Sequence, residues 1–282
     1  MEIKTIAVIG AGTMGGGIAQ AAAQSGFGII LEDTTVELAS HGVEKIRRRL
    51  EKRVAEGKLG QKEKEEIVGR IRPASGIEEC RDADLVIEAV IEKEEAKREI
   101  FGALDVVCGP GTILASNTSS IPIARLAEAT GRPDRVIGMH FMNPAYIMKL
   151  IEIVRGRRTS EETVGTIRDV TERMGKVGVV VGDSPGFVSN RVLMPMLNEA
   201  FYCLEEGIAE KEGIDTVMKL GAHHPMGPLE LADFIGLDTC LEILEVLERE
   251  FGEKFRPCPI LRDMVGAGRL GRKSGEGFYE YR

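Results

Sequence analysis

A chain of 282 residues, 43% hydrophobic and 29% charged, carries enough apolar material for a sizeable core and for two domains. Its formal net charge of −8 gives no global support for nucleic-acid binding, and no apolar run approaches the ~20 residues of a membrane-spanning helix. Five cysteines (Cys80, Cys108, Cys203, Cys240 and Cys258) lie scattered without C-x-x-C spacing, and the first strand begins within a few residues of Met1. This pattern argues against a disulfide framework, a zinc site or a secretory leader, and for a reducing cytoplasm.

The apolar run Ile6–Ile9 reads as a strand and ends in Gly10-Ala11-Gly12-Thr13-Met14-Gly15, followed by an Ala-rich segment of helix propensity. Strand, G-x-G-x-x-G turn and helix in that order form the dinucleotide fingerprint. Gly10 permits the tight turn, Gly12 lets backbone approach a pyrophosphate, and Gly15 lets helix and strand pack closely. The helix start at Thr13 and Met14 offers N–H groups and a positive dipole end to phosphates. Gly26 to Leu31 reads as a second strand, followed by Glu32 and Asp33. Asp33 lies where a carboxylate accepts hydrogen bonds from the adenosine ribose and repels a 2′-phosphate, which favours NAD over NADP. Glu32 is its neighbour and rival, facing the opposite side of the strand, and capping of the next helix is the other reading of Asp33.

From Val36 to Glu56 one apolar stripe (Val36, Ala39, Val43, Ile46, Leu50, Val54) marks an amphipathic helix. Lys45, Arg48, Arg49, Lys52 and Arg53 crowd the rest of it, as a solvated face or as a landing surface for a polyanion such as a nucleotide phosphate. Residues 58–70 read as a second, charged helix, making 36–70 a helical hairpin inserted into the α/β layer. Asp84 to Ala89 reads as a buried strand, Lys93 to Val107 as a helix, and Thr112 to Ala115 as a strand running into Ser116-Asn117-Thr118-Ser119-Ser120. Small polar side chains at a strand's carboxyl end sit where open α/β sheets bind ligands, or cap a helix.

Arg135 to Phe141 is the next strand, with His140 near its end; Asn143-Pro144 turns the chain, and Lys149 to Val154 returns as a strand carrying Glu152. A carboxylate that accepts one ring N–H of an imidazole sets its tautomer and raises its basicity, so the two form a candidate general base. Glu161 to Met174 reads as a helix and Val177 to Val181 as a final strand. Strong punctuation at Gly182-Asp183-Ser184-Pro185-Gly186 places a domain boundary near Ser184. Beyond it the segments Val188–Gly207, Lys211–Leu220, Pro228–Phe234, Asp238–Phe251 and Ile260–Val265 all read as helices. Asn190 and Arg191 stand at the start of the first, facing back toward the first domain. His223 and His224 are adjacent on an irregular segment and read as structural, not as a metal pair. The fold class is therefore α/β: a Rossmann-type doubly wound sheet over 1–184 with the hairpin at 36–70, then an all-α domain over 185–282.

Four stretches (Ser116-Asn117-Thr118-Ser119-Ser120, Gly138 to Pro144, Met148 to Glu152, and Pro185 to Arg191) resemble the L-3-hydroxyacyl-CoA dehydrogenase family. So do Asn198-Glu199-Ala200, Lys219-Leu220-Gly221, Pro225 to Pro228 and the terminal Gly271 to Tyr279. The likeness runs the whole length in order and is similar to the short, stand-alone 3-hydroxybutyryl-CoA dehydrogenases. It implies reversible, NAD-dependent oxidation of an L-3-hydroxyacyl-CoA to the 3-ketoacyl-CoA, as in fatty acid metabolism, without a metal. His140 becomes the general base, Glu152 its partner, and Ser119 and Asn190 the groups that hydrogen-bond the reacting oxygen. For the cofactor it implies Gly10, Gly12, Gly15 and Asp33, with Glu92, Lys97, Asn117 and Lys273. It turns the basic helix face, Arg48, Arg49, Lys52 and Arg53, toward coenzyme A, and implies a homodimer through the helical domain. Two other readings stand beside it: a same-fold dehydrogenase of a free hydroxy acid, and a non-catalytic NAD-binding relative.

Overall fold

The protein is described by a computed structural model over residues 2–281. It divides into two compact units, Met1–Ser184 and Pro185–Arg282. The first is built on one eight-stranded sheet: β1 (Thr5–Ile9), β2 (Gly28–Asp33), β3 (Ile71–Ser75), β4 (Leu85–Glu88), β5 (Ile113–Ser116), β6 (Val136–Phe141), β7 (Leu150–Arg155) and β8 (Val177–Gly182). Their spatial order is β3-β2-β1-β4-β5-β6-β7-β8. Every neighbouring pair is parallel except β6 with β7. β1, β4 and β5 are buried almost throughout, as strands covered on both faces must be. Connecting helices α1 (Thr13–Gln24), α2 (Val36–Ala55), α3 (Gln61–Gly69), α4 (Glu94–Val107), α5 (Ile123–Ala127) and α6 (Glu161–Arg173) complete the unit. The strand order reverses between β1 and β4, and the crevice at such a reversal, beyond the carboxyl ends, is the ligand site of this fold class.

Three local features depart from the sequence expectations. β2 begins two residues late because Gly26 takes a positive φ of 86° to end α1, with the Phe27 N–H returning to the Ala22 carbonyl at 3.2 Å. Glu32 and Asp33 therefore belong to the strand and do not follow it. β3 was not expected at all. Its sequence, Ile-Arg-Pro-Ala-Ser, has only two buried positions, and Pro73 is tolerated because β3 is an edge strand. With β3 in place, the helical hairpin of α2 and α3 is the crossover between parallel β2 and β3. The short helix α5 was also missed.

Gly42 lets α2 pass directly over the glycine turn, since a Cβ there would lie 2.8 Å from the Ala11 Cβ. Thr35 caps α2 by accepting the Leu38 N–H at 3.3 Å.

The second unit consists of α7 (Ser189–Glu205), α8 (Lys211–Gly221), α9 (Pro228–Ile235), α10 (Leu237–Phe251) and α11 (Pro259–Gly266) around Phe201, Leu229, Leu244, Leu247 and Leu261. Two buried carboxylates organise it. Asp215 accepts the Leu229 and Glu230 N–H groups at 2.8 and 3.1 Å, satisfying the start of α9. Asp233 accepts the Phe278 and Tyr279 N–H groups, both at 2.9 Å, and so holds the C-terminal turn against α9.

The tightest steric demand in the first unit lies at Gly15, where a Cβ would stand 1.8 Å from the Gly10 carbonyl oxygen, a backbone atom that cannot rotate away. Gly15→Ala is expected to destabilise the protein by about 1–3 kcal/mol or more, read as a lowered urea midpoint. An unchanged midpoint would contradict the packing described here.

Candidate active site

The glycine turn separates what the protein's own packing requires from what it does not. Gly10 has φ 94° and would meet the Ala89 carbonyl at 2.8 Å if it carried a Cβ, so turn geometry and packing both demand glycine. Gly12 is different: its φ is −68°, and no protein atom lies within 4 Å of where its Cβ would stand. Nothing inside the fold needs glycine there. Gly12 is the N-cap of α1, whose first turn has no side-chain cap, and Thr13 and Met14 follow it directly. Uncapped N–H groups, a helix dipole and an open approach for backbone fit a dinucleotide pyrophosphate.

Asp33 closes the other side of the turn. Its Oδ2 accepts the Ala11 N–H at 2.8 Å and its Oδ1 the Thr34 N–H at 2.8 Å. The cap of α2 is Thr35, so Asp33 is tied to the turn and not to the helix. Glu32 faces elsewhere, accepting the Gly76 N–H at 3.1 Å beyond the end of β3, and burial pushes its pKa up. Of the two acids, Asp33 is the one beside the fingerprint.

His140 and Glu152 stand directly opposite each other on the antiparallel pair β6–β7, with His140 Nδ1 2.8 Å from Glu152 Oε2. They are 8% and 3% exposed, a polar pair set into the sheet near the carboxyl end of β6. A carboxylate only accepts hydrogen bonds, so Nδ1 carries a proton, and in the neutral ring Nε2 has the lone pair. The β6–β7 connection is pinned by buried Lys176, whose Nζ donates to the Ala145 and Met148 carbonyls, both at 2.7 Å. Burial lowers the pKa of this amine. Asn117 joins three strand ends, its N–H donating to the Glu88 carbonyl at 2.8 Å and its Oδ1 accepting the Phe141 N–H at 2.9 Å.

Sequence reasoning missed a buried polar network between β4 and β5. Glu88 is fully buried at the end of β4 and accepts from Lys97 Nζ at 2.6 Å, Ser116 Oγ at 2.6 Å and the Val90 N–H at 2.7 Å. Glu92 turns its Oε1 toward Thr118 Oγ1 at 2.5 Å and the Ser119 and Ser120 N–H groups at 2.9 and 3.1 Å. Desolvation alone would raise the Glu92 pKa. Lys97 and these donors outweigh it and hold the group below the ordinary carboxylate range. An acid closing an apolar strand, followed by a lysine early in the next helix, was the available signal.

The remaining expected residues divide. Arg48 and Lys52 are exposed and Arg53 is half-buried along α2. Arg49 turns instead toward α1: its Nε donates to Gln20 Oε1 at 2.8 Å, and its guanidinium lies 4.9 Å from the centre of the Tyr146 ring. The four arginines and lysines therefore do not form one solvated face. Asn190 lies in the first turn of α7 and Lys273 pairs with Asp238, both within the second unit. Among the described residues no group of three or more His, Cys, Asp or Glu side chains suits a metal ion.

A glycine-turn dinucleotide cradle and a buried His140–Glu152 pair on the same sheet edge fit a nicotinamide-dependent dehydrogenase. Comparison with known proteins agrees. Residues 5–184 match the model of the 3-hydroxyacyl-CoA dehydrogenase NAD binding domain, and residues 186–281 that of the 3-hydroxyacyl-CoA dehydrogenase C-terminal domain. A probable 3-hydroxybutyryl-CoA dehydrogenase of Bacillus subtilis is 56% identical over 100% of this chain and 98% of its own length. A 3-hydroxybutyryl-CoA dehydrogenase of Bradyrhizobium diazoefficiens is 50% identical over 99% of this chain and 96% of its own. The crystal structure of an (S)-3-hydroxybutyryl-CoA dehydrogenase from Ralstonia eutropha superposes with a TM-score of 0.96 at 45% identity, covering 100% of both chains. The chain belongs to the 3-hydroxyacyl-CoA dehydrogenase family and is an oxidoreductase that uses a nicotinamide cofactor.

Because no protein atom requires Gly12 to be glycine, Gly12→Ala is expected to leave the urea midpoint unchanged. It should weaken NADH binding by about tenfold, or ~1.4 kcal/mol, in a calorimetric titration. Undiminished affinity would remove the pyrophosphate from this turn.

Proposed function

We propose that the protein catalyses the reversible oxidation of an L-3-hydroxyacyl-CoA, 3-hydroxybutyryl-CoA in particular, to the 3-ketoacyl-CoA with NAD. The observation that carries this reading is the buried His140–Glu152 contact of 2.8 Å at the carboxyl edge of a dinucleotide-binding sheet. The names of the full-length relatives supply the substrate class. In oxidation, His140 Nε2 takes the proton of the 3-hydroxyl, and Glu152 steadies the charge that the ring gains. In reduction the imidazolium returns that proton to the carbonyl oxygen. When bound, NAD supplies the acceptor for the hydride that leaves C3. Gly12, Thr13, Met14 and Asp33 would hold it, and the Asp33 carboxylate disfavours a 2′-phosphate. Ser119 hydrogen-bonds the reacting oxygen, and Asn117 fixes the strand ends between cofactor and base.

Coenzyme A carries several phosphate charges, and the exposed cations Arg48 and Lys52, with Arg53, supply a matching surface on α2. Exposed apolar side chains on α7, α8 and α9 (Val192, Val217, Leu220 and Phe234) support a homodimer formed through the helical unit. All five cysteines are free thiols, four of them buried, as suits work in the cytoplasm.

His140→Ala is expected to lower kcat for acetoacetyl-CoA reduction by about 10²–10⁴-fold while NADH still binds, and Glu152→Gln to lower it in the same direction. Near-normal turnover in His140→Ala would sink the assignment of the base. Replacing Arg48, Lys52 and Arg53 together by glutamine should raise the KM for acetoacetyl-CoA severalfold. The same variant should leave unchanged the KM for a truncated acetoacetyl thioester lacking the nucleotide. Equal effects on both substrates would detach this helix from coenzyme A.

A further inference from the structure

The loop that carries Ser119 is held at both ends, and its two holders come from different parts of the sheet. At one end Glu92, beyond β4, accepts the Ser119 and Ser120 N–H groups at 2.9 and 3.1 Å. Within the loop the Thr118 hydroxyl oxygen accepts the Ile121 N–H at 2.9 Å, and Pro122, with φ −58°, leads into α5. At the other end stands Asp183, directly after β8 and 60 residues from Ile123. Its Oδ1 accepts the Ile123 N–H at 2.9 Å and its Oδ2 the Ala124 N–H at 2.8 Å, so one carboxylate takes the first two donors of α5. α5 has 5 residues, and Pro122 at its start offers no side-chain cap. A helix of that length does not hold its own place and depends on what grips it. The grip here is the Asp183 carboxylate together with the burial of Ile123 and Leu126. Burial pushes the Asp183 pKa up, against the two N–H groups that lower it.

β8 lies beside β7 with Val179 paired to Glu152, and Glu152 faces His140 on β6. Asp183 therefore joins the strand next to the His140–Glu152 pair to the loop after β5, across β6 and β7. We infer that Asp183 is a positioning residue. By tying α5 to the end of β8, it sets where the loop bearing Ser119 stands relative to His140 and Glu152. The role given to Ser119 rests on the function proposed above. Only Ser120, Ile121 and the stiff Pro122 separate Ser119 from Ile123, so slack at the start of α5 reaches the serine. Displacement of a substrate-orienting group by about 1 Å costs on the order of 10²-fold in rate. A helix cap with no part in this alignment would support stability and leave turnover untouched.

Four variants of the full chain test this: Asp183→Ala, Asp183→Asn, Ser119→Ala, and Asp183→Ala with Ser119→Ala. For each, the urea midpoint, kcat with acetoacetyl-CoA and amide hydrogen exchange at residues 119 and 120 are measured. Asp183→Ala is expected to lower kcat by about 10–100-fold. Asp183→Asn, whose amide keeps one acceptor oxygen, should lose less. The double variant should be little worse than the poorer of its two single variants, because residues acting through one another are not additive. In Asp183→Ala the amides of Ser119 and Ser120 should exchange about tenfold faster, although neither bonds to Asp183. A lowered midpoint with kcat unchanged would overturn the inference and leave Asp183 a simple cap. Fully additive losses would overturn it as well. If Asp183→Ala does not fold, Asp183→Asn carries the same readouts with the smaller loss. Failure of the unmodified protein to turn over acetoacetyl-CoA would overturn the proposed function. Exchange at Ser119 and Ser120 would still decide the inference, and rates unchanged by Asp183→Ala would overturn it.

Discussion

The contact between His140 and Glu152 exists because the sheet reverses direction between β6 and β7. β1 to β6 are all parallel, and their carboxyl ends face one edge. β7 returns antiparallel after a short connection, which sets Glu152 opposite His140 in register. A carboxylate twelve residues away in sequence thereby becomes a cross-strand neighbour at 2.8 Å. The pair is buried in rigid sheet, so the imidazole cannot turn to offer its other nitrogen without losing its partner. Proton transfer needs that rigidity, since a base held in one tautomer presents its lone pair at one place.

The same edge gathers the rest of the site. β1 ends in the glycine turn, and β2 ends in Asp33, which holds the Ala11 N–H of that turn. β4 ends in Glu88 and β5 runs into the loop that wraps Glu92. Each strand thus contributes one group, and hydrogen bonds between strand ends hold the groups together. Asn117, bonded to both β4 and β6, and Lys176, clasping the β6–β7 connection, hold this alignment.

Much of this was legible in the sequence, for physical reasons that can be named. Fully buried parallel strands read as continuous apolar runs, so β1, β4 and β5 were found within a residue or two. The fingerprint glycines were found because their spacing follows from steric demands, at Gly10 and Gly15 on the protein's own backbone. β3 was not legible, because an edge strand with Arg72 and Pro73 has neither the alternation nor the apolar run of its neighbours. Nor was the difference between Arg48 and Arg49. Charge counting puts both on one basic helix, and only the packing of α2 across α1 turns Arg49 inward to Gln20. The burial of Lys97 depends on a partner across the end of β4, a tertiary fact that residue types alone do not carry.

The central claim is that Glu152 fixes the tautomer of His140 so that Nε2 is the basic atom. Long-range ¹H–¹⁵N spectra of the neutral His140 ring in the intact protein test it most directly. The account predicts a protonated, pyrrole-like shift at Nδ1 and an unprotonated, pyridine-like shift at Nε2. Glu152→Gln should allow the two forms to mix. A neutral ring protonated at Nε2 in the unmodified protein would contradict it.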